Sequence, residues 1–254
     1  MLAFFLLPAV KLLAAGAGGP DGIAAYAAIL THPRYLRSLV VTIVLAAATT
    51  AASLVVATIA GTFLVRRDFR GRDALVSLMT LPLAFPGVVV GFLVILLGGR
   101  QGLVGAAVRA LGGPGVVFAY SMFGLFVGYC YFSIPRVLLT VMAAAEKLDP
   151  ALEEAARSLG AGPWRVARDV VLPGLRPALV AAGAICFATA MGAFGTAFTL
   201  ATQFDVLPIA IYNAFTLDAD IATAAALSVV LGAVSWSILF VARSASGGGV
   251  AAAG

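Results

Sequence analysis

Apolar residues fall in long blocks along this chain, and polar residues gather in short stretches between them. Residues 39–65 and 221–241 are unbroken apolar blocks, each long enough for a helix of about 20 residues to cross a bilayer core of about 30 Å. Three more blocks have the length but carry breaks. Residues 74–97 contain Pro82, Pro86 and Gly87, residues 116–142 carry Pro135 and Arg136 near their end, and residues 177–202 include "AMGAFGTAFTLAT". Residues 1–15 are apolar apart from Lys11 but would rise only about 22 Å as a helix. They are expected as a short or tilted first span that extends through residues 16–18. The pattern predicts six transmembrane helices in a single membrane domain, residues 1–254, with a flexible tail at 244–254.

Between the blocks, residues 19–38 are expected as a loop with a short surface helix, and residues 100–115 as a Gly-rich connection. Composition agrees with an all-α membrane protein. Hydrophobic residues make up 62% and charged residues 11% of the 254, and mean hydropathy is +1.09. A soluble domain of this size needs far more charge to cover its surface. Alternating strands of an outer-membrane barrel are absent from the pattern.

Net charge is +5, but the basic residues lie beside apolar spans, which reads as a topology signal rather than a nucleic-acid patch. Arg66, Arg67, Arg70, Arg72, Lys147, Arg157, Arg165, Arg168, Arg176 and Arg243 fall on one side of a six-span chain. Arg34, Arg37, Arg100 and Arg109 fall on the other, with Asp205, Asp218 and Asp220. The basic excess puts both chain ends and residues 146–176 in the cytoplasm. Cys130 and Cys186 sit inside apolar blocks as buried thiols, and His32 is the only histidine, so no metal cluster is expected.

The segment "LEEAARSLGAGPWRVARDVVLP", residues 152–173, concentrates the polarity of its half of the chain. Asp149 can cap, and Pro150 can open, a helix with Glu153 and Glu154 in its first turns and Arg157 four residues after Glu153. Gly160 and Gly162 permit a turn, with positive φ expected at Gly160. Pro163 then starts a second short helix that should end before Pro173, with Arg165 and Asp169 four apart. Two short angled helices suit docking into a partner's groove. They equally suit resting on a membrane surface with Trp164 at the interface.

The spacing E-A-A-x3-G-x9-I-x-L-P is matched by Glu154, Ala155, Ala156, Gly160, Val170, Leu172 and Pro173, with valine in the isoleucine position. In this the chain resembles the permease subunits of binding-protein-dependent ABC importers, of the MetI-like type I fold, from about Gly19 to Arg243. The resemblance implies an inner-membrane half-transporter. Its partners would be a second permease, identical or related, two ATP-binding cassette subunits and a periplasmic or tethered binding protein, all within membrane lipid. It implies a coupling helix at about residues 162–171, with Gly162, Trp164, Arg165 and Arg168 among the residues that meet the ATPase. ATP and Mg would sit on the partner ATPases, since this chain has no Gly-rich phosphate loop ending in Gly-Lys-Ser/Thr and is expected to bind no cofactor and to be no enzyme by itself.

Pro and Gly breaks in membrane helices are tolerated where backbone lines a cavity. Pro86, Tyr131, Ser133, Arg136, Phe194 and Thr196 are therefore candidate lining residues of a translocation path, against the alternative of ordinary close packing. Arg136 either snorkels to the cytoplasmic interface or lines the path. The late segment, residues 194–232, resembles permeases for polyamines, ferric iron or 2-aminoethylphosphonate. Asp205, Asp218 and Asp220 would suit a cation and Arg136 an anion. A polytopic membrane enzyme would need clustered acids or histidines, and a proton-coupled carrier an ionisable relay within the spans.

Overall fold

The structure, a computed structural model, describes residues 2–19, 22–201 and 204–245. The predicted tail lies outside the described residues from position 246 onward, as does Thr202. Among the described residues every regular element is helical, as the apolar blocks predict. Five helices are long and apolar enough to cross a membrane. The first helix, α1 (Leu2–Gly16), has 15 residues and lies against the last, and the Tyr26 hydroxyl of α2 (Ala24–Thr31) donates to the Leu13 carbonyl at 2.7 Å.

The second crossing, α3 (Pro33–Arg66), is unbroken over 34 residues. Its buried positions are Ser38, Leu39, Thr42, Leu45, Ala46, Thr49, Ser53, Ala57, Gly61 and Leu64. They recur at three- and four-residue steps, so one face meets the protein while Val44, Val55, Ile59 and Phe63 point outward. Most inward residues are small, which lets neighbouring backbones approach closely. A Cβ at Gly61 would stand 3.0 Å from Val141 Cγ1. Arg72 Nε donates to the Leu64 carbonyl at 2.7 Å, satisfying one of the open acceptors at the end of α3 after a turn through Gly71 at φ 89°.

The third crossing departs from expectation. Residues 74–97 do not form one span. α4 (Arg72–Thr80) passes into a 3₁₀ turn, Leu81–Ala84, and the chain is extended at Phe85 and Pro86 before α5 (Gly87–Gly98) begins. Pro86 disfavours the helical region for Phe85, whose ψ is 130°. The apolar stretch is completed on the other side by α6 (Leu103–Ala110), inside what looked like a connection, so the crossing is Gly87–Ala110. The fourth, α7 (Met122–Ala145), starts later than expected, where the Ser121 hydroxyl accepts from the Gly124 amide. Pro135 lies within α7 without ending it.

α8 (Pro150–Ser158) forms where predicted, with the Asp149 carboxylate accepting from the Ala151 amide at 2.9 Å. The second short helix does not stop before Pro173. α9 (Pro163–Val166), a π-helical turn at Ala167–Val171 and α10 (Leu172–Met191) form one continuous helix, Pro163–Met191. The wider turn immediately precedes Pro173, whose ring and missing N–H would disrupt a regular α ladder. This fifth crossing breaks instead at Gly192 and Ala193, and α11 (Phe194–Leu200) follows. α12 (Leu207–Thr216) occupies the stretch read as an outer loop, its first amide, Leu207 N, bonded at 2.8 Å to the Thr42 hydroxyl of α3. α13 (Ile221–Ala245) is the last crossing.

Candidate functional site

The two broken crossings meet. Gly91 on α5 faces Thr199 on α11 so closely that a Cβ there would collide with the Thr199 hydroxyl and lie 2.7 Å from Thr199 Cβ. The Thr196 hydroxyl donates to the Gly87 carbonyl at 2.9 Å. The Tyr129 hydroxyl of α7 donates to the Ala193 carbonyl, also at 2.9 Å, in the gap between α10 and α11. The Tyr129 bond fills an acceptor that the second break exposes, and the Thr196 bond adds a second donor to a carbonyl at the start of α5.

Beside these breaks opens a cavity of about 460 Å³. Its wall combines Pro82, Phe85 and Gly87 from the first break, Gly192, Ala193 and Gly195 from the second, and Phe132 and Arg136 from α7. Discontinuous helices of this kind bring backbone groups to a solute path within a membrane. Arg136 is the only charged residue in the wall, and among the described residues it makes no salt bridge. It lies nine residues before the end of α7, about 14 Å along the axis.

Of the residues singled out for the path, Arg136 and Thr196 line this cavity. Pro86 flanks it as the cap residue of α5. Tyr131 and Ser133 do not line it. Ser133, one turn from Arg136, is buried within the protein with its hydroxyl unpartnered, and Tyr131 stands on another face of α7. Phe194 also turns away, packing with Phe198 and Tyr212 at ring-centroid separations of 5.3 and 5.4 Å.

At the end of the bundle opposite the coupling segment, Arg34, Arg37 and Asp205 line a hollow of about 570 Å³. Of the three acids expected to invite cations, only Asp205 lines this hollow. Asp205 pairs with Arg34 at 3.4 Å. Asp220 caps α13 by accepting from the Thr223 hydroxyl at 2.6 Å and its amide at 3.0 Å, and these bonds hold its carboxyl below the usual carboxylate range. Asp218 alone stays exposed without such a role.

The coupling segment presents an unusual surface. Leu152, Leu159 and Trp164 are 56%, 90% and 75% exposed, as are Glu154, Ala155, Gly162, Arg165 and Arg168, while Ala156 is half-buried. Gly160 has φ 83°, and the Ala161 amide reaches back to the Ala156 carbonyl at 3.0 Å, closing α8 in the manner that favours glycine. Asp169 lies 3.8 Å from Arg168 rather than pairing with Arg165. Leu172 and Pro173 leave this face and line an apolar groove with Ala47, Thr50 and Leu54 of α3. The one buried residue of α8 is Glu153. Its Oε1 lies 2.5 Å from Arg66 Nη2 and its Oε2 3.2 Å from Arg157 Nη2. The first contact is an ion contact without hydrogen-bond alignment, and both of its atoms are shut off from solvent. The i, i+4 pair with Arg157 was legible in the sequence. The contact to Arg66 was not, because Arg66 stood in a basic loop that topology alone explained.

A multi-pass helical membrane protein with a solute-sized cavity at paired helix breaks, and a loop of outward apolar residues at one end, is the class this geometry defines. Residues 53–245 match the family described as binding-protein-dependent transport system inner membrane component, and the chain belongs to that family. It is a multi-pass inner-membrane protein. It is 36% identical over 174 residues to the chloroplastic sulfate permease 2 of Chlamydomonas reinhardtii, a match covering 68% of this chain and 46% of that one. It is 36% identical over 154 residues to the molybdenum transport system permease protein ModB of Escherichia coli K12, covering 59% of this chain and 66% of the relative. PhnU of Salmonella typhi, named for 2-aminoethylphosphonate transport, is 29% identical over 239 residues, covering 91% and 83%. The match thus spans about half of the sulfate permease and about two thirds of ModB. Among solved structures, a chain of a bacterial alginate ABC transporter superposes with a TM-score of 0.81 at 19% identity, covering 97% of this chain and 89% of that one. This likeness fixes the fold.

Proposed function

We propose that this chain forms half of the membrane pathway of an ATP-driven importer and that its cargo is a small oxyanion. The observation that carries the cargo assignment is Arg136, a cation without a carboxylate partner in the wall of a cavity inside the membrane. A guanidinium there is costly unless something pairs with it or hydrates it, and its planar fork matches the geometry of sulfate, molybdate or a phosphonate. A polyamine or ferric cation would meet repulsion at the same place, and the one acid lining the outer hollow, Asp205, is paired with Arg34. The relatives named for sulfate, molybdenum and 2-aminoethylphosphonate support the same class.

In this reading a binding protein delivers the anion to the outer hollow, and Leu152, Leu159 and Trp164 seat in a cytoplasmic ATPase. ATP and Mg are held by that ATPase. A second permease copy or relative completes the path. Energy reaches the cavity because α9 and α10 are one helix: movement of the docked end is carried to Thr189, at the cavity wall. Uptake by cells expressing the chain with its neighbouring transport genes tests the proposal. Labelled sulfate, molybdate or 2-aminoethylphosphonate should enter in an ATP-dependent way, and spermidine should neither enter nor compete. Spermidine or ferric uptake with no oxyanion uptake would refute the cargo class. Purification without any ATPase subunit would refute the importer reading.

A further inference from the structure

The cytoplasmic loop is attached to the bundle at two points of different kinds. At its C-terminal half the attachment is covalent and helical, since α9 continues into α10. At its N-terminal half, α8 follows α7 through the short link 146–149 and itself buries no leucine or valine. It buries Glu153, whose side chain is 10% exposed, against Arg66 in the last turn of α3. The apolar residues Leu152 and Leu159 point away from the bundle. A helix that docked by hydrophobic contact would place them inward. This one is held by charge.

We propose that Glu153 is a positioning residue that clamps α8 to the cytoplasmic end of α3, so that ATPase-driven movement of the loop is shared between α3 and α10. The proposal rests on the coupling segment being the ATPase-docking surface. Each group also suits its own helix. A carboxylate in the first turn of α8 and a guanidinium in the last turn of α3 both complement the helix dipole. Arg157 holds the second carboxylate oxygen, so the side chain is fixed at both oxygens. Losing either partner of a shielded ion contact leaves the other charge stranded. Glu154, the acid in the resemblance motif, is exposed and available to the partner instead.

The test uses the intact complex with its ATPase subunits. Spin labels are placed at Phe63 on α3 and Ala151 on α8, both exposed, with Cys130 and Cys186 replaced. Distance distributions between the labels are then recorded without nucleotide and after trapping with ATP and vanadate. With Glu153 present the distribution should stay narrow and unshifted between the two states. Glu153→Gln and Arg66→Gln should each at least double its width, and the swap Arg66→Glu with Glu153→Arg should restore it. An Arg66→Gln complex that stays as narrow as wild type would overturn the clamp, even where Glu153→Gln fails to assemble. So would a wild-type distance that shifts on trapping. If the wild-type chain recruits no ATPase, the docking reading itself falls, a result distinguishable from a complex that assembles but shows no clamp.

Discussion

α3 and α7 cross the membrane without interruption, whereas the third crossing is interrupted just before Gly87 and again at residues 99–102, and the fifth at Gly192 and Ala193. The difference lies in what their inward faces carry. α3 and α7 meet through Gly61 against Val141 and Leu138, a contact between small and branched residues that needs no backbone group to leave its own helix. The third and fifth crossings meet at their breaks, where the Ala193 carbonyl is satisfied from another helix by Tyr129 and the Gly87 carbonyl takes an added bond from Thr196. The unbroken pair supplies the frame. The broken pair supplies a cavity with exposed backbone, and the charge that faces it, Arg136, comes from the frame. A charge placed on a rigid helix keeps its position while the surrounding breaks change shape.

The contrast can be broken most severely at Gly91. Gly91→Ala forces α5 and α11 apart, because the new Cβ overlaps Thr199, and should cost about 3 kcal/mol with a matching fall in the amount of folded protein recovered in detergent. Pairing it with Thr199→Gly should recover most of the loss; no recovery would show that the contact is not the cause. Next is the charge on the frame. Arg136→Ala should lower oxyanion uptake at least tenfold at matched membrane abundance, and Arg136→Lys should lower it clearly though less, because the bidentate fork is lost while the charge remains. Near-normal uptake by both would remove Arg136 from the path.

Gly61→Ala tests the frame itself. Its Cβ would sit 3.0 Å from Val141 Cγ1 and 3.4 Å from Leu138 Cδ1, so the neighbours need yield only a few tenths of an ångström. A loss of about 1 kcal/mol is expected, relieved by Val141→Ala, in thermal unfolding of purified protein. The smallest effect should come from Tyr129→Phe, which removes one bond to the Ala193 carbonyl at the second break. Interhelical hydrogen bonds in membranes contribute about 0.6 kcal/mol on average, so unfolding should barely change. Proteolysis or hydrogen exchange should nevertheless report more opening near Gly192 than near Gly61. Equal changes at both places would deny that the breaks are the softer region.

Much of this architecture was legible from residues in order. The apolar span of α3, the Asp149–Pro150 start, the Glu153–Arg157 pair and the turn at Gly160 are local, and local rules predicted them. The site was only half legible. Arg136 stood out because arginine inside an apolar block is costly wherever it points, and the breaks flanking Pro86 and Gly192 were visible as Pro and Gly. Which residues near Arg136 share its cavity was not visible, since Ser133, one turn away, is buried against neighbouring helices that the sequence does not place.

By itself the sequence determined that the chain lives in a membrane, roughly where it crosses, which loops carry its basic excess, and that one polar segment has the motif of a coupling loop. These follow from transfer free energies and from bonding within a few residues of each position. The tertiary structure decided that α9 and α10 are one lever and that the third crossing begins at Gly87. It also decided that Thr42 completes α12, 165 residues away, and that Arg66 meets Glu153. Each depends on which helix faces which. That is set by the fit of many small side chains at once, and no single stretch of sequence encodes it.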